Sequence, residues 1–346
     1  MYLADGHAGL VLVDLAQADA PRLIGSIDSA GVAHDVKLTA DRAYLADGPE
    51  GGFARWLQAT DGTQIRVGVW PKGEAKGTVF LLPGRTEYIE KYGRAATDLA
   101  QRGYATLSID WRGQGLADRR LDDPLVGHVN DFAEYQLDMQ AALAFARSEN
   151  LPQPWFMIAH SMGGCIGLRT LMGAHPFKAA AFSAPMWGIL MSGWMRPMAV
   201  ALATASRWLK FDDRYVPGTK EVTYVLSCPF VGNTLTTDPE MWDYMRQQAL
   251  ACPELTLAGP SLGWLQAALT ECHALSLMPA PDLAVATALG LQERIVDVGP
   301  VHLRMANWPK GKLSLYPGAE HEVMMERPAT RERFFDEACA LFDLHL

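Results

Sequence analysis

The stretch Trp155–Arg169, WFMIAHSMGGCIGLR, constrains the fold of this chain more than any other. Its first five residues are apolar and read as a buried strand. From Gly163 onward, small residues at Gly163, Gly164, Cys165 and Gly167 mark a helix-like pattern. Between the two, Ala159-His160-Ser161-Met162-Gly163 must turn sharply. A strand, a tight turn with serine at its tip, and a helix make a nucleophile elbow. The residues flanking the serine must be small, or strand and helix collide. Ala159 stands where the motif usually begins with glycine and keeps that steric condition. Ser161 then opens the helix, where the free N–H groups and the helix dipole favour negative charge. The Met162 N–H points to the same place. The plainer alternative is a serine that only caps a helix behind a buried strand.

Composition narrows the function classes. The chain has 346 residues, 49% of them hydrophobic, enough for one large core with an added subdomain. A formal charge of −9 argues against a nucleic-acid partner and against a polybasic membrane anchor. There is no apolar run long enough to span a bilayer. The N-terminal MYLADGHAGLVLVDL lacks a basic start and a cleavage pattern, so a signal peptide is not expected. Five scattered cysteines form no C-x-x-C pair; free thiols and a reducing, cytoplasmic setting are expected. Neither H-E-x-x-H nor a dinucleotide fingerprint occurs, so neither metal nor organic cofactor is expected.

Residues 1–50 differ from the rest. YLADG occurs at Tyr2–Gly6 and again at Tyr44–Gly48, with strand-like runs LVLVD, PRLIGSI and AHDVKL between. The stretch resembles a single LVIVD-type propeller repeat, which cannot bury both faces alone. It reads as a small β appendage; an ordinary hairpin with a chance pentapeptide repeat is the alternative. From residue 51 to 185, and again from 283 to 346, apolar strands alternate with helices. This is an α/β pattern with a mostly parallel sheet covered by helices on both faces. Residues 186–282 interrupt it and are rich in Met and aromatics. They read as an inserted helical cap (a lid) over the carboxyl ends of the strands, where active sites of such sheets lie. Met suits irregular apolar surfaces, and Met186, Trp187 and Trp194 are the candidates for a substrate pocket; the rest of the cap builds its own core.

A serine hydroxyl needs a general base, and the base needs an orienting acid. His321, in YPGAEHEVMME after the strand Leu313–Tyr316, lies on the correct rim. His302 falls in a helix, His345 at the terminus, and His160 turns away from the serine. In elbow hydrolases the acid precedes the histidine. The strand Ala284–Leu289 leads to Glu293 and Asp297. Glu293, nearer the strand end, is favoured; Asp297 is expected to cap the next helix. Oxyanion donors are the backbone N–H groups of Met162 and of Arg85, which follows Pro83-Gly84. The Arg85 side chain is expected either to pair with Glu87 or to meet a substrate phosphate or carboxylate.

Together, AHSMGG, LLPGRTEYIEKYG, DWRGQGLADR, ALGLQERIVD and YPGAEHEVMME make the chain from Phe53 on resemble the α/β-hydrolase family. Within it, the resemblance is to monoacylglycerol lipases and bacterial lysophospholipases. It departs from that group in having Pro83-Gly84 for His-Gly, and glutamate for aspartate at Glu293. The resemblance implies a serine carboxylic-ester hydrolase with an acyl-enzyme and a small-molecule ester or lipid substrate. The rivals are an amidase or aminopeptidase with the same triad, and a non-catalytic binding protein that keeps the fold.

Overall fold

The computed structural model describes every residue from Gly52 to Leu346 except Lys220, and not the side chain of Met195. Before Gly52 it describes only the backbone of five short strands. These are β1 (Tyr2–Ala4), β2 (Leu10–Asp14), β3 (Arg22–Ile27), β4 (Val36–Leu38) and β5 (Ala43–Leu45). The second YLADG copy and the loops of the appendage lie largely outside the described residues.

From Gly52 the chain runs β6 (Gly52–Gln58), β7 (Gln64–Trp70), β8 (Thr78–Leu82), α1 (Gly93–Gln101), β9 (Ala105–Asp110), α2 (Glu134–Ser148), β10 (Trp155–His160), α3 (Ser161–Leu171) and β11 (Phe177–Ser183). Then come α4 (Met195–Trp208), α5 (Tyr224–Ser227), α6 (Pro239–Ala251), α7 (Leu262–Ser276), β12 (Ala284–Gly290), α8 (Val298–Ala306), β13 (Gly311–Tyr316) and α9 (Pro328–Asp343). These eight strands, extended at the β6 edge by β5 and β4, form one sheet in the order β13-β12-β11-β10-β8-β9-β7-β6-β5-β4. The six from β13 to β9 are parallel, while β7 and β6 join antiparallel.

The central strands are apolar throughout because both their faces are covered. Val79 and Leu81 of β8 pack with Phe156 and Ile158 of β10 on the face that α1 and α9 cover. Phe80, Leu82, Met157 and Ala159, one residue out of step, point to the face covered by α2, α3 and α7. Side chains alternate across a strand, so a run of apolar residues serves two cores at once.

Among the described residues, four α-helices and a 3-10 turn (Pro253–Leu255) lie between β11 and β12, the stretch expected to hold a helical insertion. Its last helix, α7, contributes Trp264, Leu265, Ala268 and Leu275 to the main core. It therefore acts as the crossover that a parallel β11–β12 pair requires. Helix α4 is more open: Trp208 is 85% exposed. Among the described residues, no helix is long and apolar enough to cross a membrane.

Candidate active site

Strand β10 ends at His160 and α3 begins at Ser161 with no residue between them. Ser161 accordingly takes a left-handed conformation, φ +49°, unfavourable for a residue with a Cβ. The strain places the serine at the tip of the turn, at the carboxyl end of β10. Gly163 lets α3 approach β8: a Cβ there would lie 2.3 Å from the Leu82 carbonyl oxygen and 2.5 Å from that of Pro83. Both obstacles are backbone, so only glycine fits.

His321 lies on the loop that follows β13. Its Nδ1 lies 2.6 Å from Glu293 Oε2. The other carboxylate oxygen of Glu293 accepts from the N–H groups of Ile295 (2.6 Å) and Val296 (3.0 Å). Burial works to raise the Glu293 pKa, but the His321 bond and these N–H groups hold it below the ordinary value. The carboxylate is thus ionised and fixed beside one imidazole nitrogen, the arrangement that orients a general base. Asp297 does another job. Its Oδ1 accepts from Gly299 N–H at 3.0 Å, capping α8. Ser161 and His321 line one cavity of about 520 Å³.

Met162 is fully buried in the first turn of α3, where N–H groups have no helical acceptor. The loop bearing Arg85 is braced by the motif after β9. Trp111 Nε1 donates to Pro83 O at 2.9 Å, and Gln114 Nε2 donates to Gly84 O at 2.8 Å and to Glu87 O at 3.1 Å. The DWRGQG segment is therefore a support for the loop.

Three expectations need correction. Arg85 does not pair with Glu87. Its Nη2 donates to the Ala258 carbonyl at 2.5 Å, and its guanidinium carbon lies 5.3 Å from the Trp264 ring. Glu87 is instead taken by Lys91 Nζ at 2.6 Å, by the Tyr92 hydroxyl and by the Gly84 N–H. Trp187 is buried against Phe182 and Trp308 and donates to Gly164 O at 3.1 Å, so it belongs to the core and does not line the cavity. Trp194 is 70% exposed and also stands outside the cavity wall. Of the three pocket candidates, Met186 lines it.

Sequence reasoning missed a buried charged cluster beneath the site. Lys91 Nζ lies 2.6 Å from Glu87 and 2.5 Å from Glu322, all three side chains buried. His160 joins it, its Nε2 3.6 Å from Glu87 Oε1 and its ring centroid 4.7 Å from that of His321. Glu87, His160 and Glu322 offer atoms within 4.8 Å of one another. A cation would suit that spacing, and the Lys91 ammonium supplies one. The signal was present in part: Glu87 and Lys91 are i, i+4, and Glu322 adjoins His321.

Comparison with known proteins agrees with this architecture. The family model described as serine aminopeptidase, S33 (Hydrolase_4) matches residues 73–328. Lysophospholipase L2 of Escherichia coli (strain K12) is 33% identical over 284 residues, covering 77% of this chain and 80% of that protein. A soluble variant of monoglyceride lipase from Saccharomyces cerevisiae, solved with a substrate analog, has the same fold. Its TM-score is 0.66 at 19% identity, over 84% of this chain and 94% of that one. A monoacylglycerol lipase from Paleococcus ferrophilus aligns with a TM-score of 0.61 at 17% identity, over 81% and 98%. The likeness of residues 1–48 to a propeller repeat gains no support, since the family match begins at residue 73. Elbow, sheet order and relatives together lead to one conclusion: the chain belongs to the serine aminopeptidase S33 (Hydrolase_4) family of α/β-hydrolases.

Proposed function

We propose that this carboxylic-ester hydrolase cleaves the acyl ester of single-chain lipids, lysophospholipids or monoacylglycerols, with Ser161, His321 and Glu293 as its triad. One observation carries the reading. Ser161, on its strained elbow, and His321, bonded to Glu293 at 2.6 Å, line the same largely apolar cavity. The 33% identity with a lysophospholipase supports the lipid class.

In this mechanism His321 takes the Ser161 proton as Oγ attacks the ester carbonyl. The oxyanion sits on the N–H groups of Arg85 and Met162. His321 then protonates the leaving alcohol, and water, activated the same way, releases the fatty acid. Glu293 keeps the imidazole in the donating tautomer and stabilises the imidazolium. Residues 186–282 are taken as the cap, with Met186 in the acyl wall and the last helix, α7, also packed into the main core. Five unbridged cysteines support a reducing, cytoplasmic location.

The test is hydrolysis of lysophospholipid, monoacylglycerol and a p-nitrophenyl ester series by the wild type and Ser161→Ala. Losing Ser161 should cost on the order of 10⁶ in turnover, as in other serine triads. Near-full activity in Ser161→Ala would end the account. The family's aminopeptidase description keeps amides as the second reading. Faster cleavage of an amide than of its matched ester would favour it.

A further inference from the structure

The charges around the cavity are not all satisfied by one another. Glu87 and Glu322 line it, and both are engaged by Lys91. Arg85 also lines it, and among the described residues no carboxylate bridges its guanidinium. Of its five N–H donors, Nη2 reaches the Ala258 carbonyl, while Nε is buried with no partner. The group is nonetheless held in place. It packs on Trp264, and it passes so close to Gly127 that a Cβ there would lie 2.8 Å from Nη2. An ordered guanidinium with donors to spare, and no carboxylate to neutralise it, calls for an anion.

We infer that the Arg85 guanidinium is a head-group subsite that binds the phosphate of a lysophospholipid while the ester lies at Ser161. This deepens the proposed function and rests on it. Two further features fit. Apolar side chains, Met186, Ile189, Val225, Leu235 and Met245 among them, make up much of the remaining wall, alongside hydroxyls such as Thr223 and Thr234, so a ligand with an acyl chain and one anionic group matches both kinds of surface. The proposed oxyanion donor is the backbone N–H of the same residue. In a lysophospholipid, ester carbonyl and phosphate are separated by a glycerol, a span comparable to that between an arginine's own N–H and its guanidinium. Burial lowers the Arg85 pKa to about 10, which leaves the side chain charged at neutral pH.

The experiment compares kcat/KM for lysophosphatidylglycerol and for monoacylglycerol of the same acyl chain, in wild type, Arg85→Gln and Arg85→Lys. Both variants keep the backbone N–H. The readout is the ratio between the two substrates, which cancels any loss they share. Arg85→Gln should lower the phospholipid-to-monoacylglycerol ratio about tenfold or more, the scale of a charge-assisted hydrogen bond. Arg85→Lys, which keeps the charge and loses the fork, should recover part of it. An unchanged ratio, or equal losses on both lipids, would overturn the subsite and leave Arg85 as a prop for the Ala258 loop. Either result leaves the esterase reading standing. Wild type that cleaves neither lipid would remove the single-chain-lipid reading and this inference together.

Discussion

At the scale of single residues, Glu293 and Ser161 make opposite demands. Glu293 accepts from three donors and is kept ionised below the ordinary carboxylate range. Glu293→Gln should retain the fold and lower kcat by about 10⁴, because an amide leaves the wrong histidine tautomer facing the serine. Steady-state kinetics on a short p-nitrophenyl ester reads this directly; a loss below tenfold would transfer the orienting role elsewhere. Ser161 sits at φ +49°. Ser161→Gly should therefore be inactive yet more stable than Ser161→Ala by about 1 kcal/mol, the cost of a Cβ in the left-handed region. Urea midpoints of the two variants would show it, and equal midpoints would mean that the elbow carries no strain.

At the scale of elements, the β10–α3 junction depends on how closely α3 approaches the end of β8. Gly163→Ala puts a methyl within 2.5 Å of two backbone oxygens, one ending β8 and the next opening the loop that carries Arg85. That substitution should destabilise by about 1–3 kcal/mol, the usual range for overpacking, and disturb the loop carrying Arg85 at the same time. A thermal melt together with kcat would test both effects; wild-type values for both would show that α3 can shift freely. The elbow was legible in WFMIAHSMGG because its steric rule acts over consecutive residues. The meeting of His321 with Glu293 was legible because each follows a strand whose end must lie on the same rim. Trp187 and Trp194 were misread for the opposite reason. Aromatic content marks an apolar neighbourhood, but whether a ring faces a cavity, a core or solvent depends on packing between distant segments.

At the scale of the whole molecule, the buried Glu87–Lys91–Glu322 cluster joins the loop after β8 to the loop carrying His321. Lys91→Met would strand two buried carboxylates and should cost about 3–5 kcal/mol, since breaking a buried pair leaves uncompensated charge. Adding Glu322→Gln should restore part of this in denaturant titrations. His160 packs between the cluster and His321, facing Glu87, Lys91 and Ser183. Burial lowers its pKa from 6.5 to about 3, so it is neutral in the folded state at neutral pH. The unfolded chain binds the extra proton between these values, so its contribution is complete above about pH 6.5 and is lost as pH falls towards 3. Relative to His160→Gln, the wild type should lose stability through this window by up to about 1.4 kcal/mol per pH unit. Parallel stability curves for the two proteins would refute a buried neutral His160.

Taken alone, the sequence determined the α/β alternation and singled out Ser161 at a strand–helix turn, with His321 and Glu293 as neighbours on the rim. Each rests on a local rule of strand, turn and helix or on the order of strand ends along the chain. Tertiary structure decided where the charges went. Glu87 and Lys91 are neighbours on one turn, but Glu322 is 231 residues from Lys91 and reaches it only because β8 and β13 deliver their loops to the same rim. Lys91 engages both carboxylates, while Arg85 donates to the Ala258 carbonyl and lines the cavity. A local pairing rule cannot foresee that outcome, because in a buried site the partner is settled by which opposite charge the fold brings within reach of a shared, water-poor space.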